Sequence, residues 1–155
     1  MKRIGLHDDN TGFPNLALMK LSAKHKASGD SVERFSALNK YDRVYSSKVF
    51  TFTPIDPYLH EGAIKGGTGY GLYEDMPEDV EHTCPDYDLY GKDYSMGFLT
   101  RGCIRQCPWC FVPRKEGAIR DHADVTAFLR HKDVVLLDNN VLAHEHGLKQ
   151  IEKMS

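Results

Sequence analysis

The sequence predicts an α/β chain: a small open sheet domain over residues 1–75, a linker over 76–95, and βα units over 96–155. Three observations carry this. A strand-forming segment at residues 2–7 runs through a polar turn into a helix-forming segment. The run Asp133-Val-Val-Leu-Leu-Asp138 is a short apolar stretch bounded by charge, as in a buried parallel strand. Between them, residues 75–95 are rich in Asp, Glu, Pro and Tyr and read as a connection lying across a surface.

In chain order, residues 2–7 form the first strand and residues 8–14 a polar turn. Asn15 can cap a helix over residues 16–27, where Leu16, Leu18, Met19 and Leu21 recur at helical spacing. Gly29 suits the left-handed position just past the end of that helix. Residues 32–38 are strand or irregular. Residues 41–52 carry the β-branched and aromatic side chains of a strand, which Pro54 and Pro57 break. Residues 64–71 are glycine-rich. Residues 95–100 then form a strand, residues 121–131 a helix with Val125, Phe128 and Leu129 on one face, and residues 133–138 a strand. A further helix runs from about residue 139 to the end.

At 155 residues, with 41% hydrophobic and 27% charged residues, the composition is that of a soluble globular protein. A net charge of −2 with dispersed basic residues gives no electrostatic basis for nucleic-acid binding. The start Met1-Lys-Arg-Ile-Gly-Leu-His-Asp-Asp9 has no signal-peptide core, and the apolar runs at 16–19 and 134–137 are too short to span a bilayer. A cytoplasmic protein with no membrane partner is expected.

Cys103, Cys107 and Cys110 put three of the four cysteines in one short loop. In a reducing compartment such clustering points to metal rather than disulfides. Three thiolates can hold three corners of a metal centre and leave the fourth open for chemistry. A zinc ion would need a fourth ligand from Cys84, His82, His122 or His131, and structural zinc sites usually pair their ligands in two separated knuckles. One loop and no second knuckle fit a three-cysteine [4Fe–4S] site better. Two alternatives stay open: a zinc-binding interaction module, and an electron-transfer protein with Cys84 as fourth ligand. The plainer reading of Cys84 is a free cysteine in a connecting segment.

The stretch Gly97-Phe-Leu-Thr-Arg-Gly-Cys-Ile-Arg-Gln-Cys-Pro-Trp-Cys-Phe-Val-Pro113 resembles the cluster motif of the radical S-adenosylmethionine (SAM) enzymes. The resemblance implies a small open Rossmann-like N-terminal domain, similar to cobalamin-binding ones, followed by the first βα units of a partial TIM-type barrel. It implies that Cys103, Cys107 and Cys110 ligate three irons and that SAM chelates the fourth. Reductive cleavage of SAM to a 5′-deoxyadenosyl radical, with hydrogen abstraction from a substrate, is the implied activity. The implied electron donor is a protein such as flavodoxin or ferredoxin. By the same resemblance Trp109 lies near the adenine, its alternative role being core packing. Where many members end the second strand in Gly-Gly-Glu, this chain has Leu137-Asp-Asn-Asn140; Asp138 and Asn139 are then the candidates for the SAM amino group, and Asp138 could instead cap the next helix. Arg114, Lys115 and Arg120 follow the cluster and could neutralise a carboxylate or simply meet solvent. About 50 residues follow Cys103, room for about two βα units, so the chain is expected to be the N-terminal part of a longer enzyme.

Other features carry less. Gly66-Gly-Thr-Gly-Tyr-Gly71 is neither a dinucleotide fingerprint nor a P-loop, and a tight loop is expected. Cobalamin is not expected, because His7-Asp-Asp-Asn-Thr-Gly12 does not match the Asp-x-His-x-x-Gly motif. Asp8 and Asp9 are expected to shape the turn and start the helix. His144 and His146, as neighbours on a helix, are expected to point apart.

Overall fold

Arg3–Asp8 (β1) is the second strand of a four-stranded, all-parallel sheet; the computed structural model describes residues 1–154. Ser31–Arg34 (β2) pairs on one side of β1, and Arg43–Ser47 (β3) on the other, followed outward by Ile64–Gly66 (β4). The order β2-β1-β3-β4 reverses direction between β1 and β3, where open α/β sheets place binding crevices at the strand ends. Together with its helices this is an α/β architecture. The chain divides into two units, Met1–Gly91 and Lys92–Ser155. Among the described residues no helix is long and apolar enough to cross a membrane.

In the first unit Ile4 and Leu6 of β1 meet Leu18 of helix α1 (Leu16–Ala27), all three within 3% of full burial, with Leu21, Val32, Tyr45 and Leu89 around them. Local chemistry sets both ends of α1. Asn15 Oδ1 accepts the Leu18 N–H (3.2 Å), and its Nδ2 donates to Ser47 Oγ (2.9 Å), which ties the helix start to the end of β3. At the other end Gly29, at φ +80°, lets its own N–H reach Lys26 O and the Asp30 N–H reach His25 O, each at 3.0 Å.

The expected strand at 41–52 is shorter, β3 stopping at Ser47. Phe50 and Phe52 leave the sheet and stack on each other at 5.1 Å. Residues 76–91 lie against α1. They form α2 (Glu78–Glu81) and a 3-10 turn (Tyr87–Tyr90) whose Val80 and Tyr87 are buried. Asp86 fixes the approach: its N–H donates to Met19 O (3.1 Å), and its Oδ2 accepts from Ser22 Oγ (2.5 Å) and Lys26 Nζ (2.6 Å).

In the second unit Tyr94–Gly97 (β5) pairs in parallel with Asp133–Leu136 (β8), and Thr100–Arg101 (β6) pairs antiparallel with Arg120–Asp121 (β7). Val112–Lys115 (α3) lies between β6 and β7, and Glu145–Glu152 (α4) closes the chain. Leu99, Val125 and Phe128 form the core, with Leu129, Val134, Leu136 and Ile151 against it. Gly97 is required there, since a Cβ would sit 2.7 Å from the Phe128 ring.

Three expectations change. Residues 121–131 are not an α-helix but β7 and one 3-10 turn (Val125–Ala127), with Val125 and Phe128 still buried. Asp124 captures the Thr126 N–H (3.0 Å) and Oγ1 (2.8 Å), and Ser95 Oγ captures the N–H groups of Arg130 (2.8 Å) and His131 (2.9 Å). These side chains take donors that a helix would have used. The strand at 133–138 is limited to Asp133–Leu136 and half-buried, Val135 being 43% exposed; among the described residues β8 pairs with β5 alone. The last helix starts at Glu145, after a 3-10 turn (Val141–Ala143) and an extended His144.

Asp86 gives a pH signature. Burial pushes its carboxyl up, but the bonds from Lys26 and Ser22 outweigh this and hold it below the ordinary value. A lowered folded-state pKa means stability present above the unfolded value and lost as pH falls through the folded one. Asp86→Asn should therefore lower the urea midpoint at neutral pH and flatten its decline between about pH 4 and the folded-state pKa below it.

Candidate functional site: the cysteine loop

Residues 102–119 run from the end of β6 to the start of β7, and all three clustered cysteines lie in this excursion. Antiparallel pairing of Thr100 with Asp121 and of Arg101 with Arg120 brings its two ends together. The Cys103 N–H continues the tie by donating to Gly117 O (3.3 Å). Gly102 makes the closure possible. It is buried at φ +81°, and a Cβ there would lie 2.2 Å from Ala118 O.

Two carboxylates brace the approach to Cys103. Asp138, just past β8, accepts Leu99 N–H on both oxygens (3.2 and 3.1 Å), and Thr100 N–H (2.5 Å) and Oγ1 (2.6 Å) on Oδ1. Its place is thus on the β5–β6 connection, not at the start of a helix. Glu116, with its side chain 8% exposed, accepts from Gly102 N–H (2.9 Å) and from Asn139 Nδ2 (2.9 Å) on Oε2, while Arg101 Nη2 lies 3.6 Å from Oε1. Asn139 is therefore joined to the cysteine loop through Glu116. Sequence reading missed Glu116, because only folding makes its separation of 14 residues from Gly102 a contact.

The thiols lie on the outer part of the loop. Cys103 and Cys107 are partly exposed, Cys110 is exposed, and none is in a disulfide. Cys103 Sγ receives the Arg105 N–H at 3.4 Å. The Cys110 N–H donates to Cys107 O at 3.0 Å, closing a β-turn over Pro108 and Trp109. Trp109 is 88% exposed, so it is not a core residue. An open hollow of about 360 Å³ is lined by Cys107, Trp109, Cys110, Pro113 and Arg114 among others. Among the described residues no three His, Cys, Asp or Glu side chains converge on one metal-ion position. Arg120 turns back on the loop, its Nη1 donating to Glu116 O.

The other candidates lie elsewhere. Cys84 belongs to the first unit, where its thiol faces Pro85 O at 3.9 Å. His144 and His146 do not point apart. His144 precedes α4 in extended conformation, so both imidazoles approach Asp121, Nδ1 to carboxylate oxygen at 3.4 and 3.6 Å. His146 Nε2 also contacts Ala123 O (3.0 Å). At the strand ends of the first unit, Asp8 accepts from Tyr90 OH (2.7 Å) and Arg34, and Asp9 from the Val49 N–H (2.8 Å). Burial, then the Asp8 bond, pushes the Tyr90 phenol above its ordinary range. Beside them Asp56, His7, Ser46 and Tyr70 form one chain, with contacts of 3.2, 2.9 and 2.8 Å. The glycine-rich segment is a tight loop against Lys48, whose carbonyl oxygen would lie 2.4 Å from a Cβ at Gly67.

Gly102→Ala should destabilise the second unit by about 2 kcal/mol or more, through positive φ and backbone overlap. Glu116→Ala, which strands a buried Gly102 N–H, should cost about 1–3 kcal/mol. Chemical denaturation read by protease susceptibility of the loop checks both.

No family model, no curated protein and no solved structure matches this chain.

Proposed function

We propose that the chain holds a [4Fe–4S] cluster on Cys103, Cys107 and Cys110, binds SAM at the open iron, and acts as a radical SAM enzyme or as the N-terminal part of one. The observation that carries this reading is the pairing of three undisulfided thiols on one accessible loop with a rigid base made by Gly102, Glu116 and Asp138. The donor set fits the group. Thiolates are the ligands of iron–sulfur clusters, and a cluster spreads its three ligands over three irons, so the sulfurs need not meet at one point. When bound and reduced, such a cluster supplies the electron that cleaves SAM to a 5′-deoxyadenosyl radical.

The chain's own residues would bind and orient. Trp109 offers an exposed indole face to an adenine beside Cys110. Asp138 Oδ2 carries a single backbone bond, so it keeps acceptor capacity for an ammonium, and Asn139 stands next to it. Arg114, in the wall of the hollow, offers charge to a carboxylate. A flavodoxin- or ferredoxin-like protein is the expected reductant.

Anaerobic reconstitution with iron and sulfide tests the reading. A brown chromophore should form, its EPR signal should change on adding SAM, and serine at any one of the three positions should abolish it while Cys84→Ser leaves it intact. Zinc uptake without a chromophore would sink the proposal. A signal indifferent to SAM, or lost in Cys84→Ser, would instead favour an electron-transfer centre.

A further inference from the structure

We propose that Cys107 and Cys110 form a dithiol–disulfide pair that controls whether the loop can accept its cluster. The two residues occupy the first and fourth positions of a hydrogen-bonded β-turn, closed by the Cys110 N–H to Cys107 O bond of 3.0 Å. A turn of this kind keeps the terminal Cα atoms within about 7 Å, overlapping the range a disulfide spans. Pro108 stiffens the turn at its second position, so bridging costs little new order. Both residues line the same open hollow, and Cys110 is the more exposed.

Cys103 lies outside this turn, four residues before Cys107. Its N–H is committed to Gly117 O, and its Sγ receives the Arg105 N–H. The turn therefore favours Cys107–Cys110 among the three pairings possible within the loop.

The oxidant is a small-molecule disulfide such as oxidised glutathione. The Cys110 thiolate attacks one of its sulfurs, forming a mixed disulfide and releasing one thiolate. The Cys107 thiolate then attacks Cys110 Sγ, forming the Sγ107–Sγ110 bond and releasing the second thiolate. Two protein thiols lose two electrons and two protons, and one disulfide becomes two thiols. As a control on assembly, the pair rests on the cluster reading above, because it withdraws two of three iron ligands. The dithiol chemistry itself does not.

The test uses the full chain, freed of metal, reduced, and then exposed to oxidised glutathione without air. Alkylation and peptide mapping should find Cys107 joined to Cys110, with Cys103 and Cys84 alkylated, and Cys103→Ser should leave the pairing unchanged. A bridge to Cys103 or Cys84, or a persistent glutathione adduct on Cys110, would overturn the assignment. Iron and sulfide are next offered to the oxidised chain and to a re-reduced portion. Loss of chromophore in the first and recovery in the second are expected, whereas equal loading of both would overturn the control. If the re-reduced chain also takes up no cluster, the cluster reading fails while the mapped disulfide stands.

Discussion

The second unit depends on carboxylates that hold backbone amides. Asp138 gathers the amides of Leu99 and Thr100, and Glu116 gathers that of Gly102. Charge-assisted bonds of this kind are the stronger class, and they act where Leu99, Thr100 and Gly102 are buried and an unmatched N–H would be costly. With that backbone fixed, β6 can pair with β7, and the loop between them can leave the core without unravelling it. The partly exposed Cys103 and Cys107 and the exposed Cys110 sit on a loop held by this bracing.

What was legible in the sequence was local. Asn15 and Gly29 bound α1 as expected, because caps are read from one residue and its immediate backbone. The cysteine loop after a strand was legible for the same reason. The helix assigned to residues 121–131 failed because Val125, Phe128 and Leu129 suit one turn as well as a full helix. Ser95, from a distant strand, then supplies the acceptor that ends it. Glu116 and the packing of Asp86 on α1 were hidden, since neither has a sequence neighbour that announces its partner.

The two units show different ways of finishing a small sheet. In the first, each of the two inner strands has partners on both sides, and Leu18 and Leu21 of α1 close the core. In the second, paired strands come in twos, and much of the order comes from side chains bonding to backbone: Ser95, Asp124, Asp138 and Gln150 among them. Such a unit gains definition from polar satisfaction more than from ladder length.

The chain of Asp56, His7, Ser46 and Tyr70 has a direction. An ionised carboxylate only accepts, so His7 donates from Nε2, and in the neutral imidazole Nδ1 must then accept. Ser46 therefore points its hydrogen at His7 and takes one from Tyr70. His7 and Ser46 each give one hydrogen bond and take one, so the direction set by the carboxylate passes through both. The carboxylate at one end thus sets the orientation of two hydroxyls and carries that choice to the glycine-rich turn where Tyr70 sits.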